Sequence, residues 1–218
     1  LHCLPGHDLV YERNSLYKFS VALACKRHRL PYVLYFEADD ILEHDLMGKP
    51  ITGLLRWQAR LAARYNLQAA DCVICVSAAL KKHIATTWHI AVEKIVVLPN
   101  VADTQRFQPN AVARAATRAA FGVDDQPLII FVGNFYKWHD VTTLLTAFAQ
   151  LLTVQPAARL VLVGDGLERA AMMRYVTHLG IEPAVHFTGL VAHAAVPDLL
   201  AAADIAVVPV PNMKQKMW

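Results

Sequence analysis

The sequence has 218 residues, of which 56% are apolar and 18% charged, and a formal net charge of +3. That composition feeds a sizeable core and excludes a disordered chain, and so small a charge makes no case for nucleic acid. No apolar run reaches the length of a bilayer span, and the opening Leu1-His2-Cys3-Leu4-Pro5 is not a signal peptide; a first residue that is Leu and not Met leaves room for a start further upstream.

In chain order, Asp8-Leu9-Val10-Tyr11 reads as a strand. Ser15 is placed to cap a helix running to about Arg29, with Leu16, Phe19 and Leu23 on its inner face. Pro31 to Phe36 is the next strand, followed by an acidic loop, Glu37-Ala38-Asp39-Asp40. Leu54, Trp57, Leu61 and Tyr65 recur at helical spacing. Asp71 to Val76 is a strand holding Cys72 and Cys75. A C-x-x-C inside an apolar strand, with no further ligand at zinc spacing, reads as two buried cysteines in a reducing compartment. Ser77 caps a helix from Ala78 to Trp88, and Lys94 to Leu98 is a short strand stopped by Pro99-Asn100.

The pattern loosens between Val101 and Pro127 around a helix from Val112 to Phe121, closed by Gly122. A domain break is expected here, with residues 1–107 as one domain and 108–218 as the other. Leu128 to Val132 then forms an apolar strand ended by Gly133. After the loop Asn134 to Asp140, Val141, Leu144, Leu145, Phe148, Leu151 and Leu152 recur at helical spacing. Leu160 to Val163 repeats the strand, turned into a helix by Gly164-Asp165-Gly166. Val185 to Thr188 and Ile205 to Pro209 are further strands, with a helix from Ala194 to Ala202 between them. This alternation argues for an α/β protein with parallel sheets covered on both faces. Strand, glycine turn and helix form the unit whose helix start, with free N–H groups and the positive end of the dipole, suits a phosphate.

These residues resemble the group 1 (family 4) glycosyltransferases. The likeness rests on Ala70-Asp71-Cys72-Val73-Ile74-Cys75-Val76-Ser77, on Lys94-Ile95-Val96-Val97-Leu98-Pro99-Asn100, and on Asp103 with Phe107-Gln108-Pro109. In the second half it rests on Val163-Gly164-Asp165-Gly166, His186-Phe187-Thr188-Gly189 and Ala201-Ala202-Ala203-Asp204-Ile205. Phe131 to Asp140 looks like the subgroup with a Trp-His-Gly loop, which serves exopolysaccharide or lipid-linked glycan assembly. The resemblance implies two Rossmann-like domains with parallel sheets facing a cleft, the type-B glycosyltransferase fold. It also implies both domains are incomplete here, since the opening glycine-rich loop and the Glu-x7-Glu element after Pro209 have no match. The implied activity is retaining transfer of a sugar from a nucleotide-diphosphate sugar to an acceptor hydroxyl, on a glycan or lipid-linked acceptor. Two alternatives stand beside it: a nucleotide-sugar epimerase on the same fold, and a non-catalytic nucleotide-binding remnant. No transfer is expected from residues 1–218 alone.

The resemblance places the donor on Gly133, Asn134, Lys137 and His139, with Gly166 beside them and Thr188, Gly189 and Val191 at the nucleotide base. Lys137 and His139 are the candidate cations for the pyrophosphate; the resemblance expects an Arg and a Lys where this chain has Asn134 and His139, and Asp140 replaces the subgroup's glycine. Arg13 and Glu37, near strand ends of the first half, are the candidate catalytic-cleft residues. Glu37, Asp39 and Asp40 also suit a divalent cation, but the resemblance implies that neither metal nor cofactor is needed. Arg56, Arg60 and Arg64 recur every four residues. They read either as a solvated face or as a contact with an anionic membrane or acceptor, for a protein that is cytoplasmic and peripheral on the inner membrane face.

Overall fold

Strand and helix alternate from Val10 to Ala206 in the computed structural model, which describes residues 6–46, 48–136 and 139–210. The chain divides into two units, one running to Val101 and the other starting at Ala102. The sequence reading set the break after Phe107. Around this division the Asp103 carbonyl accepts the N–H groups of Arg106 and Phe107, and the Phe107 ring meets His193 edge-on at 6.1 Å. Residues 103–107 therefore belong with the second unit.

In the first unit β1 (Val10–Arg13), β2 (Tyr32–Phe36), β3 (Cys72–Cys75) and β4 (Ile95–Val97) lie side by side in that order, all parallel. The helices are α1 (Ser20–His28), α2 (Asp40–Leu46), α3 (Gly53–Ala69) and α4 (Ala78–Trp88). Parallel crossovers share one hand, so a sheet laid down in sequential order carries its helices on one face. Side chains alternate accordingly. Tyr32, Leu34, Phe36, Val73, Cys75 and Ile95 are buried in one cluster with residues of α1, α3 and α4. On the other face Tyr11 is 57% and Val96 49% exposed, and Tyr11 stacks on Tyr35. The expectation of two covered faces fails here, because strand order, which composition does not reveal, decides where helices lie. The cysteines follow the same alternation. Cys75 is buried and Cys72 only partly so, because residues three apart on a strand point to opposite faces.

Two helices also turn the other way from their apolar pattern. α1 starts at Ser20, not after Ser15, because Tyr17 takes a left-handed φ of 65° and interrupts the run. Its buried residues are Ala22, Ala24 and Cys25, while Phe19 and Leu23 stand about half exposed. α3 buries Ala59, Ala62, Asn66 and Leu67, and leaves Leu54, Trp57 and Leu61 outside. Small residues let both helices lie close on their neighbours, so the inner faces are built of alanine and the larger side chains point out.

The second unit holds α5 (Ala111–Ala120), β5 (Leu128–Val132), α6 (Val141–Val154), β6 (Arg159–Val163), α7 (Arg169–Leu179), β7 (Val185–Gly189), α8 (Val196–Ala202) and β8 (Ile205–Ala206). The order is β7-β6-β5-β8, all parallel. From β5 the chain steps one way to β7, then returns across the sheet to β8. That reversal puts crossovers on both faces. Phe131, Leu160 and Leu162 pack with α6 and α7 residues Leu145, Phe148 and Met172. Leu128, Ile130, Val161 and Val163 pack on the other side with Val123 and Ala202. Asp204 closes this second layer. Its carboxylate accepts from Arg114 at 2.5 Å, from Arg118 at 3.3 Å and from Leu128 N–H at 2.8 Å. Burial pushes its carboxyl up, but these hydrogen bonds and the charge of Arg114 outweigh that and hold it below the usual range.

Candidate functional site

The carboxyl ends of β5 and β8 lie where the strand order of the second unit reverses, the place where open parallel sheets take their ligands. The loop after β5 hangs there, tied down by backbone. Gly133 N–H donates to the Val163 carbonyl at 3.0 Å, Phe135 N–H to Asp165 at 2.9 Å, and Glu168 N–H to Phe135 at 3.1 Å. The glycines of the next turn are what make this approach possible. Gly164 sits at φ +130°, and a Cβ there would run into the Gly133 carbonyl; a Cβ on Gly166 would lie 2.5 Å from the Phe135 carbonyl oxygen. The end of β7 joins the same knot: Gly164 N–H donates to the Gly189 carbonyl, which also accepts from the Thr188 hydroxyl. Gly133, Gly166, Thr188 and Gly189 are thus brought to one end of the sheet. Val191 is partly buried against the core, and Asn134 is exposed.

Two sequence expectations change here. The start of α6 already has an anion: Asp140 accepts from Thr143 N–H at 3.2 Å and from the Thr143 hydroxyl at 2.7 Å. A capping carboxylate takes up one of the free N–H groups and opposes a second anion. Burial pushes the pKa of His139 below its ordinary value, which works against a positive charge there. Lys137 lies outside the described residues. A cation beside this loop, following the Gly164-Asp165-Gly166 turn in sequence, is Arg169, the first residue of α7, directly after Glu168 whose N–H grips Phe135. Its side chain is half-buried, and its Nε is enclosed without a hydrogen-bond partner. A cation in the first turn of a helix opposes the dipole.

At the carboxyl ends of β1 and β2, the first unit carries a cavity of about 750 Å³ lined by Arg13, Asn14, Glu37, Asp40, Glu43 and Asn100, among others. Arg13 and Glu37 form an ion pair with each other at its mouth. Asn14 donates to Asp40 at 2.9 Å. Burial, with the Glu43 and Asp39 carboxylates adding to it, pushes the Asp40 carboxyl up to about 6. Burial and Glu37 push Glu43 up as well. Asp39 turns away from this group. It is 5% exposed, caps α2 through the N–H groups of Ile41 and Leu42, and bonds His83 and Trp88 at 3.0 Å. Burial pushes Asp39 up, but those hydrogen bonds prevail and its pKa stays low. The acidic run is therefore split between a pocket and an internal brace. Among the described residues no three of His, Cys, Asp or Glu gather to hold a metal ion.

The arginine stripe is split too. Arg56 holds Asp45 with two hydrogen bonds, at 2.7 and 2.8 Å. Arg60 lies over the Trp88 ring at 5.8 Å, and Arg64 is exposed.

Comparison with known proteins agrees with this architecture. The family model described as Glycosyltransferase Family 4 matches residues 4–106, and that described as Glycosyl transferases group 1 matches residues 114–211. The GDP-mannose-dependent alpha-(1-6)-phosphatidylinositol monomannoside mannosyltransferase of Mycobacterium tuberculosis is 28% identical over 69% of this chain and 39% of its own length. The alpha-D-kanosaminyltransferase of Streptomyces kanamyceticus is 24% identical over the same shares. The chain thus spans about two fifths of these relatives. Among solved structures, Anabaena HepE in complex with UDP and glucose superposes with a TM-score of 0.74 at 25% identity, covering 92% of this chain and 52% of that one. Sucrose-phosphate synthase from Thermosynechococcus elongatus shares the fold, with a TM-score of 0.72 at 21% identity, over 96% of this chain and 52% of that one. With two family models in tandem and a type-B glycosyltransferase fold beneath them, the chain belongs to the group 1 glycosyltransferases.

Proposed function

We propose that this chain carries donor- and acceptor-binding parts of a retaining hexosyltransferase, which moves a sugar from a nucleotide-diphosphate sugar to an acceptor hydroxyl in polysaccharide or lipid-linked glycan synthesis. The observation that carries the donor half is the backbone-pinned loop at Gly133, set at the reversal of strand order against the Gly164–Gly166 turn. A leaving nucleoside diphosphate gathers negative charge as the glycosidic bond breaks. Held N–H groups and a cation stabilise that charge best when they are in place beforehand. Arg169 is the described cation suited to this, with Lys137 as its sequence-expected companion. No metal or cofactor enters this reading. Retention of configuration rests on the family likeness. HepE was solved with UDP and glucose, and the mycobacterial relative is named for a phosphatidylinositol mannoside, which supports the donor class and a lipid-linked acceptor. In the first unit, the Arg13–Glu37 pair and Asp40 offer the mixed donors and acceptors that a polyhydroxyl acceptor takes.

Calorimetry with UDP and GDP tests the donor half. Arg169→Ala is expected to weaken binding by about 1.5–3 kcal/mol, the value of a hydrogen bond to a charged group. Unchanged affinity would remove Arg169 from the site. Release of free nucleoside diphosphate only when an acceptor is present separates transfer from epimerisation.

A further inference from the structure

Residues 37–43 form a wall between two cavities. Glu37, Ala38, Asp40 and Glu43 line the one of about 750 Å³ at the strand ends; Asp39, Ile41 and Leu42 line a smaller one of about 120 Å³, shared with Asp45, Arg56 and Arg60. Asp39 ties this wall to a fixed element. Its Oδ1 accepts the N–H groups of Ile41 and Leu42 at 3.1 and 3.3 Å, so one oxygen serves α2. Its Oδ2 serves α4: it accepts from Trp88 Nε1 and bonds His83 Nε2, both at 3.0 Å. α4 is the anchored partner, because Leu80, Ile84 and Trp88 are buried in one core with Phe36 of β2. Burial works against the charge of Asp39, but its hydrogen bonds prevail and it is a carboxylate at pH 7. A carboxylate only accepts, so His83 carries a proton on Nε2 and donates it to this bond. The Thr87 hydroxyl, one turn along α4, lies 3.3 Å from the other ring nitrogen and helps set the plane of the imidazole.

We infer that His83 is a positioning residue: through Asp39 it holds residues 37–43 so that Glu37 and Asp40 stay turned into the cavity at the strand ends. A buried carboxylate that loses a charge-stabilising partner is costly to leave in place. Asp39 is buried and the cavity beside it is small, so without the His83 N–H its carboxylate turns toward water. Trp88 cannot make up the loss, since its single N–H is already given to the same oxygen. Asp40 is the next residue along the chain, and the same movement draws it away from Asn14, which now donates to it at 2.9 Å. What this placement means for transfer rests on the reading of the larger cavity as the acceptor side; the placement itself belongs to the free chain.

The Asp40 carboxyl reports this placement. Burial, then the Glu43 and Asp39 carboxylates, push it up to about 6, while His44 and Arg13 pull the other way; Glu37 and Lys18 are the other charged residues lining the cavity. The test is an NMR titration of the Asp40 side-chain carboxyl carbon in the 218-residue chain without ligand, with Asp40→Asn to identify the signal. His83→Leu is expected to bring the midpoint from about 6 down toward the ordinary value of about 4, as Asp40 regains water. His83→Gln, whose amide can still donate to Asp39, should keep the midpoint where it is. Trp88→Phe keeps a buried ring and removes the N–H, and its midpoint should fall part of the way; it carries the comparison if His83→Leu does not fold. Ile84→Val loosens the packing of α4 without touching Asp39, and should lower stability while leaving the midpoint unmoved. The role is overturned if the midpoint stays up in the variant that lacks the donor, or if it drops as far in His83→Gln or in Ile84→Val. The contact would then be packing alone. With no ligand present, these outcomes do not bear on the acceptor reading, which stands or falls by the acceptor-dependent release of nucleoside diphosphate.

Discussion

The two sheets are built from similar strands and end up in different surroundings. β5 reads LIIFV and has four consecutive buried residues; β2 reads YVLYF and buries every second one. Both are apolar throughout, so composition does not separate them. Strand order does. The second sheet reverses direction and is covered on both faces, whereas the first proceeds sequentially and is covered on one. The strand ends differ in the same sense. In the second unit they are locked by backbone against backbone, through glycines. In the first they are dressed with charged side chains around an open cavity. A rigid backbone cradle suits a fixed, common group such as a diphosphate. A pocket of ion pairs can be altered residue by residue without disturbing the sheet.

The contrast at the strand ends is broken most severely at Gly164. Alanine there combines a φ of +130° with a collision against the Gly133 carbonyl. Strain and overpacking of this kind cost about 1–3 kcal/mol each, so Gly164→Ala is expected to lose about 3–5 kcal/mol in denaturant unfolding. Gly48→Ala in the first unit meets nothing within 4 Å and has only its φ of +68° to oppose it. Its cost should stay near 1–2 kcal/mol. Similar losses in the two variants would mean that the glycine knot is not what holds the second unit's loops.

Much of this contrast was legible in advance, and its limits are physical. The glycine turns at 133 and 164–166 stood out because few residues other than glycine permit such close backbone approach. The break between units was nearly placed by Pro99, Pro109 and Pro127 around a weak helix. The orientation of α1 and α3 was not legible, because both faces of each helix are apolar and alanine leaves no strong periodic mark. Nor was the fate of the acidic run, where Asp39 turns inward to His83 and Trp88 while Asp40 faces the pocket. Adjacent carboxylates look alike until a tryptophan N–H half the unit away selects one of them. Charge state was the furthest out of reach: His139 is a candidate cation in the sequence only if a partner raises its pKa, and burial pushes that pKa down.

A matched pair of substitutions sharpens the comparison of faces. Val163 is 1% exposed in the second sheet, and Val96 is 49% exposed in the first. Threonine preserves the shape and adds a hydroxyl. In Val163→Thr that hydroxyl is buried, and the loss should be about 1–3 kcal/mol. In Val96→Thr it meets solvent, and stability should change by less than about 0.5 kcal/mol. Equal losses on thermal unfolding would mean that the outer face of the first sheet is covered in solution.

The smallest expected effect is in pH dependence, where the two units should run in opposite directions. The Asp40 carboxyl is raised to about 6 by burial and by Glu43 and Asp39, against roughly 4 in an unfolded chain. Between those values the folded first unit binds more protons than the unfolded one. Its stability is therefore greatest at the acid end and declines as pH rises from about 4 to 6, then levels off. His139 acts with the opposite sign. Its folded pKa lies below the ordinary value, so the unfolded second unit binds the extra proton, and stability declines as pH falls below about 6.5. Hydrogen exchange of the β2 and β5 amides, followed from pH 4.5 to 7.5 and corrected for intrinsic rates, resolves the two trends. Asp40→Asn removes the carboxylate while keeping an acceptor for Asn14. It should flatten the β2 trend, add on the order of 1 kcal/mol at pH 7 once solvent screening is allowed for, and leave β5 untouched. If β2 protection in Asp40→Asn still declined toward pH 6, the proton on Asp40 would not be what sets the behaviour of the first unit, and the pocket at Arg13 and Glu37 would have to be rebuilt around Glu43.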